Sequence, residues 1–375
     1  MPRSSAHDMN STAKPGMRAR QKMKGAKLAP AALTRFRRAL LAWYDANRRD
    51  LPWRHTRDPY AIWLSEIMLQ QTRVAAVLDH YRIFLERFPN IAALAAAKKD
   101  AILAAWSGLG YYRRARMLHQ CARQIVGQYD GRFPNTSESL RALPGIGRYT
   151  AAAIASIAFQ EPVAVVDGNV ERVLQRLDAR ALTPQQTWLR AQELLAPSRP
   201  GDFNQSMMEL GATVCLPREP RCSICPIRQW CAAQGPLPRT KTKARQRRQQ
   251  IWCALDRRDG RVRLVQRPKR ASLMAGMWEL PQSTNLPPAS ARDGHWRTFR
   301  HSITVTDYTV HVSRNNLSKK DDDKDRRNGP RNNPYKATRP ATTSAPLAKW
   351  IAIDDLPALP LTGLTRKILK ADGVI

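Results

Sequence analysis

The sequence lacks any apolar run long enough to cross a membrane: the longest, Ala151–Phe159, falls well short of the roughly 20 residues a spanning helix needs. No membrane association is expected. It is equally short of negative charge, with 30 Asp plus Glu against 63 Lys plus Arg and a formal net charge of +33 over 375 residues. An excess of that size exceeds what solubility requires and points to a polyanion, nucleic acid above all. Arginines recur throughout residues 31–270, so a basic tail explains only part of it. The first thirty residues have no apolar segment of the secretory kind. Their composition would suit a mitochondrial transit peptide, but a disordered basic arm over 1–30 is the plainer reading. The six cysteines are not spread as a secreted disulfide framework; four crowd into 215–231 while Cys121 and Cys253 stand alone. A metal and a reducing compartment, hence a cytoplasmic location, are expected.

The length suits two domains. From Leu33 to about Leu195 apolar residues recur at three and four spacing, as in the stripe Phe36, Leu40 and Tyr44, which predicts an all-α domain over 31–235. Asp58-Pro59 opens one helix, and Phe88-Pro89-Asn90 and Phe133-Pro134-Asn135 break others. Residues 236–250 have no apolar face and read as a linker. Beyond it, Ile251–Leu255, Arg261–Gln266, Ile303–Val312 and Trp350–Ile353 read as strands and Leu361–Lys370 as a closing helix, a smaller α+β domain over 251–375. A charged tract at about 313–346 reads as a disordered insertion. There is no internal repeat.

Cys215, Cys222, Cys225 and Cys231 place four thiols within seventeen residues, a spacing that lets one loop wrap a single metal centre. It suits tetrahedral zinc and an iron-sulfur cluster equally. Pro144-Gly145-Ile146-Gly147 forms a turn between two helical patterns, where backbone NH groups can meet a DNA phosphate; a plain helix joint is the blander alternative. Two carboxylates are placed unlike the solvated majority. Glu66 has Ile62, Trp63 and Leu69 at minus four, minus three and plus three, so it shares an apolar face and should hold its proton longer than a free glutamate. Asp167 ends the run Val165-Val166 before a helix bearing Val170, Val173, Leu174 and Leu177, where the helix N-terminus favours an anion. One carboxyl kept protonated and one kept charged is what glycosidic-bond cleavage needs. A helix cap at Asp167 or Asn169 and an arginine partner for Glu66 would explain the same spacing without catalysis.

Ser65-Glu66-Ile67-Met68-Leu69-Gln70-Gln71-Thr72, Leu143-Pro144-Gly145-Ile146-Gly147-Arg148-Tyr149-Thr150-Ala151, Val166-Asp167-Gly168-Asn169-Val170 and the cysteine loop occur in one order. Together they resemble the helix-hairpin-helix DNA glycosylase superfamily, related to endonuclease III, and within it the MutY-type adenine glycosylases. The resemblance implies a 4Fe-4S cluster on Cys215, Cys222, Cys225 and Cys231, with Arg218, Arg221 and Arg228 towards DNA. It implies a monomer that acts on double-stranded DNA carrying adenine opposite 8-oxoguanine or guanine, flips the adenine out and hydrolyses its glycosidic bond. Glu66 would protonate adenine N7 and Asp167 would stabilise the sugar cation, supported by Tyr149 and Asn169. Trp53, Arg54 and Glu209 would contact adenine. Leu69 and Gln71 would wedge into the duplex, and Pro144, Gly145, Ile146 and Gly147 would meet its backbone.

Leu273-Met274-Ala275-Gly276-Met277-Trp278-Glu279-Leu280-Pro281 and Thr298-Phe299-Arg300-His301-Ser302 resemble that family's Nudix-like reader of 8-oxoguanine, without the Glu-rich signature of a Nudix hydrolase. Phe299, Arg300, His301 and Ser302 would read the base, with Arg300 standing where the family pattern has serine. Two rivals compete. An endonuclease III-like glycosylase and lyase for oxidised pyrimidines needs a nucleophilic amine, but the chain has no lysine between Lys99 and Lys241, and Tyr149 occupies that subfamily's lysine position. A non-catalytic DNA-binding protein would have no use for Glu66 and Asp167.

Overall fold

The computed structural model describes residues 27–235, 247–284, 295–303, 305–316 and 348–375. The expected arm up to residue 26, the linker at 236–246 and the charged tract at 317–347 lie outside them. Up to Thr213 the described chain is helical: α1 (Pro30–Asn47), α2 (Pro59–Leu69), α3 (Val74–Arg87), α4 (Ile91–Ala96), α5 (Lys99–Ala105), α6 (Arg113–Tyr129), α7 (Ser137–Arg141), α8 (Arg148–Ala158), α9 (Gly168–Leu177), α10 (Pro184–Leu194) and α11 (Pro200–Thr213). Phe36, Leu40 and Tyr44 form the buried face of α1. Asp58 accepts the Tyr60 NH at 3.0 Å and so caps α2, whose Pro59 spends no hydrogen bond in the first turn.

The described residues gather into two compact units, one drawn from Met1–Glu66 and Phe133–Thr240 and the other from Ile67–Arg132 and Lys241–Ile375. In the first, α1, α9 and α11 pack through Phe36, Leu40, Val170, Leu174, Phe203 and Leu210, and Trp230 meets the Phe36 ring edge-on at 5.5 Å. The second joins α3–α6 to a seven-stranded sheet: β1 (Arg247–Arg258), β2 (Arg261–Gln266), β3 (Trp278–Glu279), β4 (Gln282–Ser283), β5 (His295–Ile303), β6 (Thr306–Asn316) and β7 (Ala348–Ala352). The strand order is β3-β2-β1-β6-β5, with β4 on β1 and β7 on β2. One face of the sheet carries Ile251, Leu255, Leu264, Val310 and Val312, and Leu364, Ile368 and Leu369 of the closing helix α12 (Gly363–Ala371) belong to the same core.

This grouping differs from a division at the linker. The Ser107 and Tyr112 hydroxyls donate to the Leu361 carbonyl at 3.0 and 3.2 Å, and Arg116 donates to the Ala275 carbonyl, so residues 67–132 are tied to the C-terminal segment. β1 also starts at Arg247, inside the stretch expected to be linker; its first four residues are exposed but pair in parallel with Thr306–Thr309. β6 runs on to Asn316, beyond the expected start of the charged insertion. Ile303 ends β5 rather than opening the next strand, and β5 itself, with exposed residues at most positions, gave no strand signal.

Candidate active site

Glu66 lies on α2, where residues 60–68 are buried all round, so its burial owes more to the helix being wholly enclosed than to one apolar face. It is 7% exposed. Tyr149, in the first turn of α8, donates its hydroxyl to Glu66 Oε2 at 2.7 Å and lies 3.4 Å from Met208 Sδ. Burial pushes the Glu66 carboxyl up to about 7, and the charge of Asp167 adds to it, while the Tyr149 hydrogen bond and Arg54 act in the opposite direction. The carboxyl therefore keeps a proton to higher pH than a free glutamate. The same burial raises Tyr149 well above its usual range.

Asp167 is the N-cap of α9. Its Oδ1 accepts the backbone NH groups of Asn169 at 2.9 Å and Val170 at 2.7 Å, and its Oδ2 accepts Asn169 Nδ2 at 2.8 Å. The helix-cap role that the spacing allowed for Asp167 is therefore present. The start of α9 is pressed against α11 at Gly211, where an added Cβ would come within 2.6 Å of Asn169 Cβ. Arg172 braces it further, donating to Asn169 Oδ1 at 2.8 Å, the Gly211 carbonyl at 2.7 Å and the Cys215 carbonyl at 2.9 Å.

Trp53 is buried in a short turn, Pro52–Arg54. Glu209, on α11, is 1% exposed and has both oxygens engaged: Arg49 donates from its backbone NH, Nε and Nη2, and Arg54 from Nη2 at 2.6 Å. Burial alone would raise this carboxyl, but the two guanidinium groups outweigh it and hold it at about 2. Arg54 therefore bridges Glu209 and the charge environment of Glu66. Sequence reasoning missed Arg49, whose partner is 160 residues away.

In the hairpin, Gly145 has φ +77 and needs glycine, and a side chain at Gly147, the N-cap of α8, would meet only open space. Pro144 is half-buried, and Ile146 is buried, so it can offer a ligand only its backbone. Leu69 ends α2 half-buried, and Gln71 is exposed in the left-handed region at φ +57. Tyr111, another exposed left-handed residue at φ +46, also escaped sequence reasoning, although its flanking glycine marked an unusual turn.

On β5 the expected reading residues split. Phe299 is a core residue, 7% exposed among Ile251, Leu264 and Val310, and its ring is not free to meet a base. That expectation is corrected: strand alternation turns Phe299 inward and Arg300 outward. Arg300 is exposed, His301 is half-buried with its imidazole lowered by burial and by Lys367, and the Ser302 hydroxyl is bonded to Asp307 at 2.5 Å.

The four clustered cysteines are free and half-buried, and Cys215, Cys225 and Cys231 pack on the core of the first unit. Among the described residues no three His, Cys, Asp or Glu side chains converge at metal-ligating geometry. The thiols are nevertheless near neighbours: burial and the other cysteines push Cys225 and Cys231 up to about 11. Arg176, almost fully buried, donates to Cys215 Sγ at 3.2 Å and to the carbonyls of Cys215, Leu216 and Pro217. Four thiols close together in sequence, with a guanidinium beside one of them, are soft donors of the type that thiolate metal centres use.

The profile of the HhH-GPD superfamily of base excision DNA repair proteins matches residues 64–197. A mouse protein named adenine DNA glycosylase is 48% identical over 244 residues, 61% of this chain and 47% of that protein. An Arabidopsis thaliana protein of the same name is 42% identical over 298 residues, 66% of this chain and 47% of that protein. The chain thus spans about half the length of these curated relatives. Among solved structures, a thermostable thymine-DNA glycosylase is 32% identical, with a TM-score of 0.50, over 53% of this chain and 94% of that one.

Proposed function

This chain belongs to the HhH-GPD superfamily of base excision DNA repair proteins, and on that premise we propose that it is a monofunctional adenine DNA glycosylase. The observation that carries the proposal is the pairing of Glu66, held near pKa 7, with Asp167, whose oxygens are fixed by three N–H donors. In this reading duplex DNA is bound, and adenine opposite 8-oxoguanine or guanine is turned out of the stack. Protonated Glu66 donates its proton to adenine N7, which makes the base a neutral leaving group. The bond from N9 to C1′ breaks, and Asp167 offsets the positive charge that develops on the sugar. Water then adds at C1′, its released proton passing to the Glu66 carboxylate, and gives an abasic site.

Tyr149 orients Glu66, and Asn169 with Arg172 orients Asp167. Trp53 and the Arg54–Glu209 pair would wall the base. Leu69 and Gln71 would enter the duplex, while the NH groups of Gly145 and Gly147 would take a phosphate. Residues 31–235 would hold the chemistry and 251–375 would form a Nudix-like reader of the opposite base through Arg300, His301 and Ser302. Cys215, Cys222, Cys225 and Cys231 would hold a 4Fe-4S cluster. When bound, it would tie together the loop that presents the exposed Arg218, Arg221 and Arg228 to DNA. The same proposal includes a monomeric, cytoplasmic, nucleoid-associated protein.

The test is single-turnover cleavage of duplexes with adenine opposite 8-oxoguanine, guanine or thymine. Free adenine and an intact abasic strand from the first two support the reading. Release of an oxidised pyrimidine with strand scission, and no adenine, would overturn it.

A further inference from the structure

Gln71 and Tyr111 sit in separate turns of the second unit, and both adopt the left-handed backbone that residues other than glycine hold only when something fixes it. One guanidinium reaches both turns. Arg114 Nη1 donates to the carbonyls of Ile67 and Met68 at 2.8 Å and of Gln70 at 2.7 Å, at the end of α2. Its Nη2 donates to Thr72 Oγ1 at 3.1 Å and to the carbonyls of Leu109 and Gly110 at 3.0 and 3.3 Å. The rings of Trp106 and Tyr111 flank its plane, with centroids at 5.3 and 5.5 Å.

Among the described residues no carboxylate pairs with this charge; backbone carbonyls, including those left open where a helix ends, take its place. The four hydrogens of Nη1 and Nη2 face six acceptors distributed over two turns, so some bonds are shared, while the buried Nε has no partner among the described residues. A lysine ammonium has three donors and no plane to stack.

We infer that Arg114 is a positioning residue for the Leu69–Gln71 wedge, joining the turn at 67–72 to the loop at 108–111 so that both are set before DNA arrives. The inference rests on the reading of Leu69 and Gln71 as the DNA wedge. Presetting the turn means that its ordering is not charged against binding. Arg114 touches neither the base nor the reacting bond; it acts through Gln71.

Arg114→Lys tests this in two arms. In the free protein, hydrogen exchange at 67–72 and 108–111 should quicken together, by about tenfold, while α9 and α11 keep their protection. On a duplex with 2-aminopurine replacing the target adenine opposite guanine, the fluorescence rise on flipping should fall. On the adenine duplex, the single-turnover rate should drop about tenfold while affinity for undamaged duplex stays within about twofold. In a Gln71→Ala background the same substitution should cost no more than about twofold further, because the two residues act as one unit. Exchange that is unchanged, or that quickens in one turn only, overturns the inference, as do losses that multiply in the double variant. Should Arg114→Lys fail to fold, Thr72→Val removes one of the six bonds together with the Thr72 hydroxyl's own bond to the Gln70 carbonyl at 3.3 Å, so the readout that reports on Arg114 is exchange at 108–111, which should quicken by about two- to threefold; no change there overturns it equally. A parent protein that binds duplex without any 2-aminopurine signal would count against the adenine reading, and the exchange arm would still decide the role of Arg114.

Discussion

The Tyr149 hydroxyl donates to Glu66 Oε2 at 2.7 Å, so the contact that orients the acid also limits how far burial can raise it. Without that donor the carboxylate form would lose a stabilising partner and the carboxyl would titrate higher still.

The pH dependence of excision follows. Glu66 must carry its proton to act, so the rate should fall as pH rises through about 7. Tyr149→Phe removes a donor that favours the charged form and should move this descending limb to higher pH by about half a unit or more. Arg54→Met should move it the same way, since Arg54 also favours the carboxylate. Single-turnover rates between pH 5 and 9 would show it, and a limb shifted to lower pH in Tyr149→Phe would contradict the assigned sign.

Much of this site was legible in the sequence because its signals are local. Asp167 precedes a strongly amphipathic helix, Glu66 sits among apolar residues, and the cysteine spacing is compact. What was not legible depends on distant partners. Arg49 meets Glu209 across 160 positions, and nothing near Arg49 announces it. The exposed start of β1 is a strand only because β6 pairs with it, and Phe299 is a core residue only because β5 alternates at that register.

For the cysteines, purified protein should contain about four irons per chain. Cys222→Ser should lose iron and weaken DNA binding about tenfold, as the loop bearing Arg218, Arg221 and Arg228 loosens. Zinc without iron in anaerobically prepared protein would identify a different centre.

The absence of lysine between Lys99 and Lys241, with half-buried Tyr149 beside Glu66, leaves that stretch without a nucleophilic amine. Borohydride should trap almost no covalent complex on the adenine substrate, and the strand should stay intact until treated with base. Efficient trapping would favour a lyase.

Reading of the opposite base is best tested at Arg300, exposed on β5, rather than by truncation, because Ser107 and Tyr112 would lose their bonds to Leu361. Arg300→Ser should change the preference for adenine opposite 8-oxoguanine over guanine by about tenfold, with affinity for undamaged duplex unchanged. A uniform loss on every duplex, with a salt slope shallower by about one, would mean that Arg300 grips phosphate instead.

The most direct test of the account is the single-turnover excision rate of Glu66→Gln and Asp167→Asn on adenine opposite 8-oxoguanine, measured beside their affinities for the same duplex. In the proposed binding mode neither side chain is assigned to a phosphate. Both rates should fall about a thousandfold or more while affinity stays within about threefold of the parent. Excision by Glu66→Gln near the parental rate would contradict the assignment of the buried glutamate as the acid.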